Sequence, residues 1–353
     1  MRIKLAILEK DQSYLNRIVS AFNKKYSDKF EIYSFTDSNV AMNTLDSVKI
    51  DVLVASEGFE IDFTQLPKRC GFAYFVDSKG IDTLNNQRAI CKYQKAELIY
   101  KQILSVYSEN AGNIAGFKIE DENATRLITF TSPCGGVGTS SMAAACALHF
   151  ASQGKRTLYL NLEKYGSSDV FFSAEGQFDM SDIIFSLKSK KANLSLKLES
   201  CVKHDPRGVF FYSQTKIALD MLELNAGDIT RLITELKNSG TYDYIIFDMD
   251  FSIDKDILDI YRKTHAVVFV GDGSEISNIK IFRAYNAIVT KEQKSDSPIT
   301  NRLALAYNKF SSKTGKALEM DIKNIGGAPR YENATTEQII SNLSAMDMFS
   351  KIF

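Results

Sequence analysis

The chain carries no excess charge of either sign: 43 lysines and arginines offset 43 aspartates and glutamates. That disfavours a protein held on nucleic acid by bulk electrostatics, although a local basic patch fits within a neutral total. No CxxC or CxxxH spacing occurs. The five cysteines, Cys70, Cys91, Cys134, Cys146 and Cys201, are odd in number and widely scattered, which argues against a zinc site and for free thiols in a reducing cytoplasm. No run of about 18 apolar residues is present, so no segment reads as a membrane span. Met1–Leu8 runs straight into a strand-like stretch without the apolar region and cleavage site of a leader, and no secretory leader is expected. The three histidines, His149, His204 and His265, have no partner at ligand spacing and read as structural or solvated. There is no internal repeat and no low-complexity tract.

What is present is enough apolar material for two cores. At roughly 100–200 residues per domain, 353 residues with 44% hydrophobic content predict two domains. In the first hundred residues, short apolar runs alternate with helical patterns. Ile3–Leu8, Phe30–Phe35, Val52–Ala55, Phe72–Val76 and Arg88–Lys92 read as strands. Asp11 reads as an N-cap, followed by Tyr14, Leu15, Ile18, Val19 and Phe22 on one helix face. Val40, Met42 and Leu45 suggest a second helix, and Ala96–Tyr107 a closing one. The polar stretch 109–125 predicts a linker, and a second α/β series fills 126–353. Both halves are expected to be α/β, each a parallel sheet covered on both faces (two three-layer αβα domains).

The sharpest feature is the run from Leu127 to Cys146. An apolar strand enters a turn containing Gly135, Gly136 and Gly138, which opens directly into an alanine-rich helix. This is an anion cradle. The glycines allow left-handed backbone and close approach, while free N–H groups and the positive end of a helix face the anion. Ser140 is placed to coordinate Mg²⁺.

The segment Pro133-Cys134-Gly135-Gly136-Val137-Gly138-Thr139-Ser140-Ser141 resembles the Lys-Gly-Gly-Val-Gly-Lys-Thr-Thr loop of ParA/MinD-type ATPases. Both lysines are missing: Cys134 stands at the position that in that family reaches a partner's nucleotide, and Thr139 at the P-loop lysine. Phosphoryl transfer is mostly positioning and charge stabilisation, so binding is expected to survive better than hydrolysis. The resemblance implies ATP and Mg²⁺ as ligands and supplies further residues. Asn161-x-Glu163 stands for the family's Asp-x-Asp, with Glu163 a tentative catalytic acid. Asp248, ending the strand Tyr244–Phe247, stands for the Walker B aspartate, holding Mg²⁺ directly or through water. Asn308 is the expected adenine contact, and Pro329 and Arg330 lie in the turn expected beside the base.

Residues 1–108 resemble a response-regulator receiver. Glu9 and Asp11 stand for its acidic pair, Ser56 for the phosphoacceptor aspartate, and Lys92 for its lysine, with Tyr93 replacing the following proline and Asp77 or Ser78 at the switch threonine. Serine cannot form the acyl phosphate and the depleted acidic pocket should bind Mg²⁺ poorly, so the expectation is a docking domain. A pseudo-receiver fused to a ParA/MinD-like domain is similar to the TadZ/CpaE pilus-assembly proteins. That resemblance implies an ATP-binding localisation and assembly factor for a Tad/Flp-type pilus system. It implies a homodimer with weak or no hydrolysis, cytoplasmic and concentrated at a cell pole, with pilus and secretion proteins as partners, membrane association only through them, and no specific nucleic acid. An active positioning or partitioning ATPase and a nucleotide-free scaffold are the alternatives. At the C-terminal end, Ile339, Ile340, Leu343, Met346, Phe349, Ile352 and Phe353 form an apolar set with Lys351 as the single lysine. A basic membrane helix needs more positive charge, so packing against protein is expected.

Overall fold

A computed structural model describes residues 2–110, 125–166, 168–189, 193–292 and 298–353. Most of the expected linker, 111–124, lies outside the described residues. The elements run β1 (Ile3–Leu8), α1 (Gln12–Lys25), β2 (Phe30–Phe35), α2 (Ser38–Val48), β3 (Val52–Ser56), β4 (Gly71–Val76), β5 (Thr83–Leu84), β6 (Gln87–Cys91) and α3 (Ala96–Asn110). They continue β7 (Arg126–Thr131), α4 (Thr139–Ser152), β8 (Thr157–Asn161), α5 (Ser168–Phe171), α6 (Met180–Ser189), α7 (Leu194–Cys201), β9 (Lys203–His204), β10 (Val209–Phe211), α8 (Ala218–Leu222) and α9 (Ala226–Asn238). The last elements are β11 (Tyr244–Asp248), α10 (Lys255–Lys263), β12 (Ala266–Gly271), α11 (Glu275–Glu292), β13 (Leu303–Tyr307), β14 (Lys323–Gly327) and α12 (Thr336–Ser344). Two compact units result, residues 1–116 with 185–201, and 117–184 with 202–353. The segment 185–201, which contains α7, groups with the first unit.

In the first unit the sheet order is β2-β1-β3-β4-β6-β5, parallel except for the β5 edge. Parallel strands buried on both faces must be apolar throughout, and β3 and β4 are buried at every residue. The helix α1 starts where Asp11 accepts hydrogen bonds from the N–H groups of Ser13 and Tyr14, and ends on Lys24 and Lys25. Each end matches the helix dipole and its orphan backbone groups. Tyr14, Leu15, Ile18 and Phe22 point into the core with α3. The helix α2 covers the other face through Ala41 and Leu45, while Val40, expected on the apolar face, is exposed. α7 packs on α3: the Lys197 ammonium reaches the Ser105 hydroxyl at 2.8 Å, and the Tyr100 hydroxyl donates to Glu199 at 2.7 Å.

The second unit has an eight-stranded sheet, β14-β13-β12-β7-β11-β8-β10-β9, parallel except for β9. The helix α4 lies against its middle, and its residues Met142 to Phe150 are all buried. A helix apolar all round has no solvent face. One flank of α4 receives α12. Ile340, Leu343, Met348, Phe349 and Ile352 are buried there, so most of the C-terminal apolar set packs into this unit's own core, while Phe353 is exposed. Among the described residues no helix is long and apolar enough to cross a membrane.

Candidate nucleotide-binding site

The central strand β7 ends at Thr131 and the chain turns through Pro133–Gly138 into α4. Because the sheet is parallel, β8, β11, β12 and β13 end on the same side, which is where open α/β sheets collect ligands. Gly138 caps α4 with φ +85° and Gly136 has φ +75°. At Gly138 a side chain is excluded twice over, by this backbone and because a Cβ would come within 2.4 Å of the Asn308 amide nitrogen. A Cβ on Gly135 or Gly136 would meet nothing within 4 Å, so the loop faces open space there. No side chain caps the N-terminus of α4, which leaves its first N–H groups without an internal partner.

Cys134 does not point into this space. It is 7% exposed and its thiol approaches the Ser277 carbonyl at 3.6 Å, on α11. Its N–H is held by the Ser132 hydroxyl, which donates to Val270 at 2.6 Å. Cys134, expected at the position of a lysine that reaches a partner's nucleotide, is a core anchor for the loop. Asn308, the expected base contact, is buried at the end of β13, and its amide donates to the Val137 carbonyl at 2.8 Å. One of its two N–H donors is therefore engaged by the loop. Pro329 and Arg330 are exposed just beyond β14, beside the same sheet end, where Ala328 N–H donates to Tyr307 and Phe310 N–H to Ala328.

On the other flank of the loop, five side chains meet. The Ser140 hydroxyl donates to Glu163 at 3.1 Å. The Asn161 amide donates to Glu163 at 3.1 Å and to Asp248 at 2.9 Å, and the Tyr159 hydroxyl donates to Asp248 at 2.8 Å. The register that pairs Asp248 with Phe130 on one side and Asn161 on the other fixes this geometry. Sequence reasoning identified Ser140, Glu163 and Asp248. It missed Tyr159, whose polar tip inside an otherwise apolar strand was the available signal. Asp248 is fully buried, and its Oδ1 has no donor directed at it. Burial pushes its carboxyl well above the ordinary carboxylate range, and the neighbouring Glu163 pushes further. An orphaned carboxylate oxygen beside a serine hydroxyl and a second carboxylate is a hard oxygen donor set. It fits Mg²⁺, which takes one or two carboxylates and completes its shell with phosphate and water.

The sign of this shift gives a test. Asp248 is harder to ionise in the folded protein than in the unfolded chain, so stability falls as pH rises above the unfolded value. Asp248→Asn keeps the shape and removes that loss. The nucleotide-free variant should melt higher than wild type at pH 8, with a smaller gain at pH 5. The Mg²⁺-dependent part of ATP affinity should fall about 10-fold or more. Melting curves at the two pH values and ATP titrations with and without Mg²⁺ check both halves.

In the first unit, Lys92 is buried and its ammonium lies 3.0 Å from Glu9, 2.8 Å from Asp77 and 3.3 Å from the Ser56 hydroxyl. Burial works against its charge, but hydrogen bonds to Asp77 and Glu9 outweigh it and raise its pKa. Asp11 caps α1 and its own N–H donates to Glu9 at 3.0 Å. The expected receiver residues Glu9, Ser56 and Lys92 therefore do meet, as a closed ionic cluster with Asp77. Asp11, expected in the acidic pocket, has its carboxylate turned to the helix cap.

A glycine-rich loop between a central parallel strand and a buried helix, with an acid ending the neighbouring strand, defines a P-loop NTPase fold. The first unit, with strand order 2-1-3-4 continued by β6, is receiver-like. Residues 1–108 match the family model described as TadZ-like, receiver domain. The second unit has the ParA/MinD fold. The chain is similar to a ParA family ATPase from Chlorobium tepidum TLS, with 20% identity and a TM-score of 0.51, covering 65% of this chain and 97% of that one. It is also similar to the MinC:MinD cell division protein complex of Aquifex aeolicus, with 17% identity and a TM-score of 0.51, covering 65% and 96%. No curated protein sequence matches the chain significantly.

Proposed function

We propose that this chain is an ATP-binding assembly and localisation factor of a Tad/Flp-type pilus, working as a nucleotide-stabilised homodimer with little turnover. The observation that carries the reading is the pairing of a TadZ-like receiver domain with a ParA/MinD fold whose loop keeps its glycine cradle without either loop lysine. The main-chain N–H groups of the loop and the start of α4 hold the phosphates. Ser140 and Asp248 hold Mg²⁺ directly or through water, and the ion neutralises polyphosphate charge when bound. Glu163, bonded to Ser140 and Asn161, would hold the serine beside that position and is the acid that would orient an attacking water. With Thr139 in place of a lysine and Cys134 turned into the core, the developing charge of phosphoryl transfer has no cation on the loop, so hydrolysis is slow. Asn308 and the turn through Pro329 and Arg330 flank the base. The first unit, with its acceptor replaced and its cluster closed, docks partners among pilus and secretion proteins. Through them the protein reaches the membrane and a cell pole from the cytoplasm, with no nucleic acid required.

Light scattering after size exclusion, with ATP and Mg²⁺, with ADP, and without nucleotide, tests this reading together with phosphate release. The expected result is a dimer that ATP favours and turnover barely above background. Steady turnover at ordinary rates would favour an active positioning ATPase. No effect of millimolar ATP would favour an empty scaffold.

A further inference from the structure

The loop lacks its own lysines, yet a lysine reaches it from elsewhere. Lys309 follows Asn308 at the end of β13, and its ammonium donates to the Gly136 carbonyl at 2.7 Å. Its backbone has φ +59°, a left-handed conformation uncommon for a residue with a side chain and retained where surrounding structure imposes it. The two neighbours thus hold two consecutive loop carbonyls, Asn308 that of Val137 and Lys309 that of Gly136.

In a planar trans peptide the C=O and N–H point in opposite directions. Holding the Gly136 carbonyl toward β13 turns the Val137 N–H away from it, and holding the Val137 carbonyl turns the Gly138 N–H the same way. These N–H groups lead into the free N-terminus of α4. An ammonium has three donors, and the contact with Gly136 uses one of them. The side-chain stem also passes the cradle, with Cε 3.7 Å from where a Cβ on Gly138 would stand.

We propose that Lys309 is a positioning residue for the polyphosphate of a bound nucleotide. From the neighbouring strand it presets the loop's N–H groups and places a positive charge behind the peptides that face the phosphates, a charge that the loop itself lacks. The inference rests on the loop being a phosphate cradle.

The test uses the full chain and ATP with Mg²⁺. Lys309→Met keeps the stem and removes the charge. Lys309→Gly removes both while suiting the left-handed backbone, so it guards against a folding defect. Lys309→Arg keeps the charge. At low salt the Met and Gly variants should bind ATP about 10-fold more weakly than wild type, and the deficit should shrink at high salt because a screened charge contributes less. The Arg variant should stay within about threefold, and the nucleotide-free melting point of the Gly variant should be close to that of wild type. Met and Gly variants that bind ATP within about twofold of wild type would overturn the inference, as would an equal loss in the Arg variant. Wild type that binds no ATP would instead defeat the nucleotide reading itself, before any variant is compared.

Discussion

Replacing Gly138 by alanine should both destabilise the second unit and abolish ATP binding. The residue has φ +85°, a conformation that costs a residue with a side chain about 1–2 kcal/mol. The added Cβ would also fall 2.4 Å from the Asn308 amide nitrogen. That nitrogen must move, and its bond to the Val137 carbonyl is lost. A buried polar group left without a partner costs about 1–3 kcal/mol. The combined effect of about 2–5 kcal/mol should lower the melting temperature by about 5–15 °C in a domain of this size. It should also collapse the curve of the loop on which phosphate binding depends. The control is Gly135→Ala, where the new methyl meets nothing within 4 Å and φ is not positive; it should melt within about 2 °C of wild type. Gly138→Ala melting and binding like wild type would mean that the loop is not held by Asn308 as described.

The second large effect is in the first unit. Lys92→Met should destabilise that unit by about 3–5 kcal/mol, the typical cost of breaking a buried pair on one side. The side chains of Lys92 and Glu9 are 8% and 3% exposed, whereas Asp77, at 56%, can turn to water. The loss therefore comes mainly from Glu9, left charged and without its partner. Among the described residues, its remaining donor is the Asp11 N–H. Adding Glu9→Gln to Lys92→Met should recover at least about half of the loss, since it removes the stranded charge. Hydrogen exchange of β1, β3 and β6 in the full chain reads this out without isolating the unit. A Lys92→Met variant as protected as wild type would show that the cluster is not the lock it looks to be. A closed cluster is also the reason a phosphoryl donor should leave Ser56 unmodified: the hydroxyl lies under the ammonium at 3.3 Å and is 7% exposed.

Much of this was written in the order of the residues. The strands β1 and β2 begin and end at the expected residues; β1 is an inner, nearly all-buried strand, whereas β2 lies at the sheet edge and carries Glu31 and Ser34 among its apolar residues. Asp11, Ser140, Glu163 and Asp248 were legible because caps, phosphate loops and strand-end acids are local patterns. What escaped was either too short or too polar to carry a pattern, or was set by contacts far along the chain. The edge strand β5 hangs on a turn in which Asn85 and Asn86 are both left-handed, a hairpin signal masked by the polar residues around it. The strand β14 is largely exposed and carries little apolar pattern. The helix α7 shows no sign in its own sequence that it groups with the first unit; its buried Lys197 finds Ser105 only in the folded chain. Cys134 aligns with a lysine position, but the direction of its side chain depends on α11. Lys309 was invisible for the same reason, since neither its left-handed backbone nor its reach to Gly136 follows from its neighbours in sequence.

The central claim is that main-chain groups between Pro133 and Ser141 hold a polyphosphate without a loop lysine. Calorimetric titration of the full chain with ATP and Mg²⁺ tests it most directly. The account predicts saturable binding of about one ATP per chain, weakened by removing Mg²⁺. No heat and no thermal shift at millimolar ATP would contradict it.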